Sequence, residues 1–436
     1  MKIKLHIGAP KTGSSAIQYF LLRNQKRLLK DGYYYPDHSH DGNKISGGHA
    51  ELGKLLVDGD IDSAKSLIGE WKKEAQKLKK VMLISTEAAF GRSQLISHLF
   101  TGYDVEVICY IRNPLDSLVS RHNQMIKRHF YKHDLQHYLE RVMSNMNEEV
   151  DGTVLSSWAE LIGAKNFLLR FYDSQSFSGG SIETDFLDCL GVKGFRARRY
   201  KLTKERINNS YSINATEFKR LLNHVLSECH EEKTLALKID RSLQQFSDTN
   251  VNKEKRPRCS EQIYNELAKT YNVPLQHAFD SLNVKPPATF FNPERIEVSA
   301  KRQNHSLLDL LEVADFFKRK APNEYQELRS RVEQQLTKKQ VCDYAVYRLA
   351  DLFGVPYSEP PIAYGLPARS MKLLMDKATP RHELLKEVGK LMFAQGHSKQ
   401  SVRLLTFASK LAPKSKGIRL HLNRARGKFQ KEKARN

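Results

Sequence analysis

The chain has 436 residues, long enough for a large α/β domain and a second, smaller one. At 40% hydrophobic and 28% charged residues, with mean hydropathy −0.56, it offers no stretch apolar enough to span a bilayer. A formal net charge of +22 points to an anionic partner, which leaves nucleic acid, an anionic membrane surface, or polyanionic small molecules and glycans.

No helix-turn-helix, zinc-finger or RNP-type aromatic motif is present, so nucleic acid ranks last of the three. The N-terminus has no apolar signal core or small-residue cleavage site. The five cysteines, Cys109, Cys189, Cys229, Cys259 and Cys342, are scattered and lack CxxC spacing. They support neither a zinc site nor a disulfide framework, and a cytoplasmic setting is expected.

In chain order, Ile3-Lys4-Leu5 reads as a short strand, and apolar residues at helical spacing follow from Ala16. Between them lies His6-Ile7-Gly8-Ala9-Pro10-Lys11-Thr12-Gly13-Ser14-Ser15, a glycine-bearing turn into a helix. Such a turn aims free N–H groups and the positive end of the helix dipole at one point, where a phosphate fits. The frame resembles a Walker A loop, G-x-x-x-x-G-K-[ST], but Ser14 follows Gly13 and the lysine sits back at Lys11. A displaced lysine fits a phosphorylated donor other than a Mg²⁺-bound nucleoside triphosphate.

The first helix is expected from Gly13 to about Lys30, and Tyr33-Tyr34-Tyr35-Pro36 as a short strand or cleft wall. The stretch from Asp37 to Gly48 reads as loop, with His38, His40 and His49 in or beside it. Solvated loop histidines explain these better than a metal site, and His49 is a candidate substrate contact. A charged helix over Ile61–Lys80 precedes the apolar strand Val81–Ile84, which ends in Ser85-Thr86-Glu87. A carboxylate just past a parallel strand lies where open α/β sheets place ligands, although Glu87 as a helix cap or lysine partner is an equal reading. The strand Val105–Ile111 runs into Arg112-Asn113-Pro114, with Pro114 at a helix start and Ser120 two turns on. Arg112 and Ser120 are suited to clasp a second phosphate, although for this stretch alone a structural ion pair for Arg112 and a neutral helix position for Ser120 is the stronger reading.

HIGAPKTGSS together with VICYIRNPLDSLVS resembles the sulfotransferases that use 3′-phosphoadenosine 5′-phosphosulfate (PAPS), closest to bacterial and Golgi-type members. In that family a P-K-x-G-[ST]-[ST] loop holds the 5′-phosphosulfate, and an arginine and serine at R-x₇-S spacing hold the 3′-phosphate. The resemblance covers roughly the first half of the chain. It implies an α/β fold with a P-loop-type parallel sheet flanked by helices. It also implies sulfuryl transfer from PAPS to an acceptor hydroxyl, a glycan being the first choice, with no metal. Lys11 would contact the bridging oxygen and act catalytically. Thr12, Gly13, Ser14 and Ser15 would cradle the 5′-phosphate, Arg112 and Ser120 would read the 3′-phosphate, and Glu87 would be the general base. The alternative is a catalytically silent nucleotide- or polyanion-binding scaffold on the same fold.

Further on, Asp134–Ile162 reads as helical with Trp158 in the core, Asn166–Tyr172 as a strand, and Ile182–Leu190 as a helix. The basic stretch from Lys193 to Arg206 resembles, without its full signature, the loop that closes over the nucleotide in sulfotransferases. Arg206, Asn209 and Ser210 are therefore candidate cofactor contacts, and a merely solvated basic loop is an equal reading. Residues 213–282 are mostly helical, and Val284–Pro293 reads as a linker. The division expected is a PAPS-binding domain over 1–290 and a helical C-terminal region over 291–436, with one TPR-like hairpin near Ser401–Pro413. The basic stretch from Lys410 to Arg435 suits an anionic lipid or polymer, with a solvated tail as the default.

Overall fold

Apolar side chains at every second position of three strands decide how the sheet is buried. The structure, a computed structural model, describes the whole chain except residues 39–47, 145–150, 203–209, 228–231, 250–255, 300–302, 304, 339–341, 358–369, 371–372, 374–375, 377, 395 and 434–436. It is an α/β fold. Strands β1 (Lys2–His6), β2 (Tyr33–Tyr34), β3 (Val81–Ser85), β4 (Asp104–Ile111) and β5 (Phe167–Phe171) form a parallel sheet in the order β2-β3-β1-β4-β5. Its register pairs Leu5 with Ile84 on one side and with Val107 on the other. Both faces are covered, as a parallel sheet requires. Ile3, Leu5, Met82, Ile84, Val107 and Cys109 pack into one core, against α8 (Asp151–Ile162) and α12 (Glu261–Leu282) among others. Leu83, Ile108 and Tyr110 face the other way, toward α1 (Ser14–Arg23) and α9 (Ile182–Cys189). Trp158 is fully buried and donates Nε1–H to the Phe90 carbonyl at 2.7 Å.

The expected single helix to Lys30 is broken at Asn24, between α1 and α2 (Gln25–Lys30). The Asn24 side chain donates to Phe20 and Lys201 carbonyls and accepts from the Lys201 N–H, so it staples this corner to a distant segment.

On the α1/α9 face Lys4 and Asp185 are engaged in contacts that suit burial, whereas Gln18 Nε2 and His6 Nε2 are buried without a hydrogen-bond partner among the described residues. Lys4 pairs with Glu106 at 2.5 Å and donates to the Cys189 carbonyl. Asp185, on α9, accepts from Tyr110 Oη at 2.6 Å, from Arg170 Nε and Nη2 at 3.1 and 2.5 Å, and from the Ser178 N–H at 2.8 Å.

Two compact units divide the chain, Met1–Tyr357 and Ser358–Asn436. The boundary therefore lies well past the 290 expected from sequence. The reason is a second core in which α10 (Ile213–Leu222) and α11 (Glu232–Thr249) share Phe218, Ile239 and Leu243 with later helices. Those are α13 (Leu307–Lys320), α14 (Pro322–Lys338) and α15 (Tyr344–Phe353), which add Phe317, Leu328 and Leu349. Val284–Pro293 is not a free linker either, because Phe290 is buried and Phe291 packs beside it on the main core.

In the second unit, the helices Arg381–Ala394 and Ser398–Leu411 form a hairpin followed by Lys416–Lys433. Gly389 lets the hairpin close, since a Cβ there would fall 2.7 Å from Leu405 Cγ. Among the described residues no helix is long and apolar enough to cross a membrane.

Replacing Asp185 with alanine leaves the Ser178 N–H without its acceptor, the Arg170 guanidinium with only the longer contact to Asp188 at 3.4 Å, and the Tyr110 hydroxyl with only the Cys189 sulfur. We expect a loss of about 3–5 kcal/mol, read from urea unfolding followed by tryptophan fluorescence.

Candidate functional site

All five strands are parallel, so their carboxyl ends lie along one edge, where such sheets bind ligands. Three of the loops leaving that edge carry the residues singled out from sequence, and the loop after β5 adds one that was not.

The loop after β1 stays in register with its neighbour, as the Ile7 N–H reaches the Ile108 carbonyl at 2.9 Å. It then turns through two left-handed residues, Lys11 (φ 71) and Gly13 (φ 80). Thr12, almost fully buried, closes the turn by donating its hydroxyl to the Ala9 carbonyl at 2.6 Å. That hydroxyl is committed to the loop itself, so Thr12 shapes the cradle. Helix α1 begins at Ser14, and the first-turn N–H groups of Ser14 and Ser15 find no carbonyl among the described residues. Lys11 is half-buried beside this helix start.

Glu87 follows β3, in a 3₁₀ turn over Glu87–Ala89. The Thr86 N–H bonds the His6 carbonyl, which carries the β1–β3 pairing to the loop's edge. Ser14 Oγ donates to Glu87 Oε1, so the two sequence candidates are in direct contact. Glu87 opens to solvent on one side, yet protein crowds its carboxyl. Desolvation raises its pKa above the usual carboxylate range, and the Lys11 charge pulls the other way. Lys11 is held below the usual lysine range, first by burial and then by the charges of Arg121 and Arg128, with Glu87 opposing.

Arg112 ends β4, and Asn113 caps α6 (Pro114–Arg128) by accepting from the Leu115 and Asp116 N–H groups. The Arg112 guanidinium is buried, 3.6 Å from Asp116 and 5.3 Å from the centre of the Tyr172 ring. Tyr172 leaves β5, with its N–H on the Ile111 carbonyl at 2.7 Å. The same ring abuts Gly13, where a Cβ would fall 2.6 Å from Tyr172 Cε2. One phenol ring thus touches both the glycine turn and the arginine. Gly13 is required there twice over, for its positive φ and for the space.

Asp116 also accepts from the Glu294 and Arg295 N–H groups at 3.2 and 2.8 Å, and Asn113 donates to the Phe290 carbonyl. These bonds hold the segment around 290–295 against the start of α6. Arg295 Nη1 donates to Ser210 Oγ at 3.1 Å, and its charge, after burial, lowers the pKa of Arg112. Two guanidinium groups and a hydroxyl from Ser210 therefore gather at this end of the site. Ser120 is half-buried on α6.

Sequence reasoning missed Tyr172, Asp116, Arg295 and Arg121. Asp116 was legible in principle as the acid one turn after Arg112. Arg295 had no local signal, because its partners Asp116 and Ser210 lie 179 and 85 residues earlier in the chain.

Other expectations are corrected. His49 is not a substrate contact. It is almost fully buried, its Nδ1 accepts from the Ser85 N–H at 3.0 Å, and its Nε2 donates to the Pro36 carbonyl at 3.1 Å. With both ring nitrogens engaged it braces α3 (Ala50–Asp58) against β3. In the described part of the basic stretch, Lys193, Arg196, Arg198, Arg199 and Lys201 are exposed, while Tyr200 is buried against the first two helices and donates to Asp31 at 2.9 Å. Arg206 and Asn209 lie outside the described residues.

The site can hold a dianion at the loop and a second anion at Arg112. Among the described residues no group of His, Cys, Asp and Glu is placed to hold a metal ion. Comparison of the chain with family models, with curated proteins and with solved structures returns no significant match.

Burial also holds His49 neutral, its pKa lowered from 6.5 to about 4, and His6, fully buried, is lowered to about 3. The unfolded chain takes up protons that these side chains refuse, so stability is full above pH 6.5 and falls as pH drops toward 4. His49→Gln should flatten that slope by about 1.4 kcal/mol per pH unit near pH 5, seen in urea midpoints taken across pH 4–8. An unchanged slope would mean that His49 is not held neutral.

Proposed function

We propose that this chain is a PAPS-dependent sulfotransferase built on a P-loop-type α/β fold. The observation that carries the reading is the Tyr172 ring, in contact with the glycine turn on one side and the Arg112 guanidinium on the other. The two motifs named from sequence thereby become neighbouring anion pockets on one edge. A donor with a phosphosulfate at one end and a 3′-phosphate at the other needs two such pockets, and ATP does not.

In this reading the Ser14 and Ser15 N–H groups, with the α1 dipole, take the 5′-phosphate. Lys11 stabilises charge developing on the bridging oxygen as the sulfuryl group leaves in line. Arg112, Arg295, Ser120 and Ser210 take the 3′-phosphate, and the half-buried Tyr172 ring between the pockets is at hand for the nucleotide. Glu87 accepts the proton of the acceptor hydroxyl. Its contact with Ser14 gives donor binding a second effect. A phosphate that claims the Ser14 hydroxyl removes a hydrogen bond from Glu87 and leaves the carboxylate a stronger base. The acceptor is a hydroxylated molecule, a saccharide by preference, given the surplus of positive charge around the site.

The test is transfer of labelled sulfate from PAPS to an acceptor pool, with calorimetry of PAP, ADP and ATP alongside. Lys11→Ala should reduce turnover by about a hundred- to a thousand-fold without lowering the melting temperature. Arg112→Ala should act mainly on donor affinity. A protein that binds ADP as tightly as PAP would defeat the proposal.

The pH profile gives an independent check. Activity needs ionised Glu87, whose pKa lies above the ordinary range, and protonated Lys11, whose pKa lies below it. The expected kcat/KM profile is a bell narrower at both limbs than free side chains would give, and Glu87→Gln should abolish its acid limb. Full activity in that variant would remove Glu87 from the mechanism.

A further inference from the structure

The basic stretch after α9 lies at the other end of the sheet from the two anion pockets. Helix α1 runs from Ser14, at the carboxyl edge, to Arg23, about 14 Å along its axis. Helix α9 runs beside it, from Ile182, whose Cδ1 a Cβ on Gly13 would meet at 2.6 Å, to Cys189, whose carbonyl takes Lys4. The chain after α9 is then fastened to the amino edge. Tyr33, paired with Val81 at the start of β3, donates to the Leu190 carbonyl. Tyr200 donates to Asp31, just ahead of β2, and the Asn24 side chain holds the Lys201 N–H and carbonyl.

The ten residues from Lys193 to Leu202 include five cations and no acid. Lys193 pairs with Asp188 at 3.0 Å. Arg196, Arg198, Arg199 and Lys201 are exposed, and no carboxylate among the described residues pairs with them. Asp31, the acid of this corner, is already taken by Arg27 and Tyr200. Exposed Lys26 and Lys30 on α2 add to the charge. Phe195 stands among these cations 68% exposed, with the Arg199 guanidinium 4.2 Å from its ring centre, and Leu202 is 42% exposed. A water-soluble polyanion would use the cations and leave both apolar side chains in water. A bilayer surface uses both kinds of group, since phosphates meet the cations and the boundary of the acyl chains takes the ring. An arginine resting on that ring keeps its charged head at the level of the phosphates.

We infer that this corner of the amino edge docks the chain on an anionic lipid surface. Phe195 enters the boundary between headgroups and acyl chains, and Arg196, Arg198, Arg199 and Lys201 lie on lipid phosphates. The opposite edge, with Lys11, Glu87 and Arg112, then faces away from the lipid. The inference does not rest on the sulfotransferase reading, and it holds or fails whatever that edge does.

The experiment is flotation of the full chain with vesicles of phosphatidylcholine, alone or with about one-third phosphatidylglycerol. Partition onto the anionic vesicles should exceed that onto the neutral ones by about tenfold or more and should fall at high salt. Changing Arg198→Gln and Arg199→Gln together should weaken it by about 10- to 30-fold. Phe195→Ala should weaken it by about three- to tenfold. Neither change should move the melting temperature, because these side chains are exposed. In Phe195→Trp, brominated lipid should quench the added indole on binding, beyond any quenching of Trp71 and Trp158 in the unaltered chain.

Equal partition onto both vesicles, or none, overturns the inference. So does binding that survives the double arginine change, which would give the lipid contact to another surface such as the basic helix Lys416–Lys433. If the arginines matter but Phe195→Ala binds normally and the Phe195→Trp indole stays unquenched, the corner serves a water-soluble polyanion and the lipid reading falls. Should a loss variant unfold, the quenching decides alone.

Discussion

The ring of Tyr172 is the contact on which the geometry of the site depends. It stands between a left-handed glycine and a buried guanidinium, and it can do so because β1, β4 and β5 are consecutive strands of one parallel sheet. Neighbouring strands lie about 4.8 Å apart. The bonds from Ile7 to Ile108 and from Tyr172 to Ile111 carry that spacing one residue beyond the strands. The loops are thus delivered at fixed separations before any side chain chooses a rotamer. A residue with a Cβ at position 13 would push the ring away, and with it the face on which Arg112 rests.

Charge is handled differently in the body of the sheet and at its edge. Within the body, every buried polar group named above except one ring nitrogen of His6 and the Gln18 amide nitrogen has a partner. Lys4 meets Glu106, Asp185 gathers four donors, and the two buried histidines are held neutral by desolvation. At the edge, cations outnumber acids and one carboxylate is pushed toward protonation. A folded chain carries such an imbalance at a cost, and the anion binding proposed above would offset it.

The helices after the sheet serve the site by fixing α6. Asn223 donates to the Ile126 and Tyr131 carbonyls, Asn123 reaches Thr216, and Lys127 reaches Gln244. The segment around 290–295 holds the other end of α6 through Asn113 and Asp116. Helix α6 is thereby pinned at both ends by residues from two later segments of the same unit.

Local patterns in the chain were enough to find the strands and most of the helices, because alternation and helical periodicity are properties of adjacent residues. They were also enough to single out the glycine turn, Lys11, Glu87 and Arg112, because each ends a strand and ligand-binding residues collect there. His49 was misread because a histidine beside a polar loop gives no sign that the backbone of β3 and Pro36 will take both its nitrogens. The stretch from Val284 to Pro293 was misread because prolines mark turns equally in linkers and in packed straps. Asn24, Tyr172, Arg295 and Arg121 gain their meaning from neighbours far away in the chain. Sequence by itself determined which segments form the sheet and where a glycine-bearing turn leads from β1 into a helix. Only the tertiary structure decided that Tyr172 joins that turn to Arg112, and that Asp116 ties residue 295 to the start of α6, since both follow from strand order and helix packing.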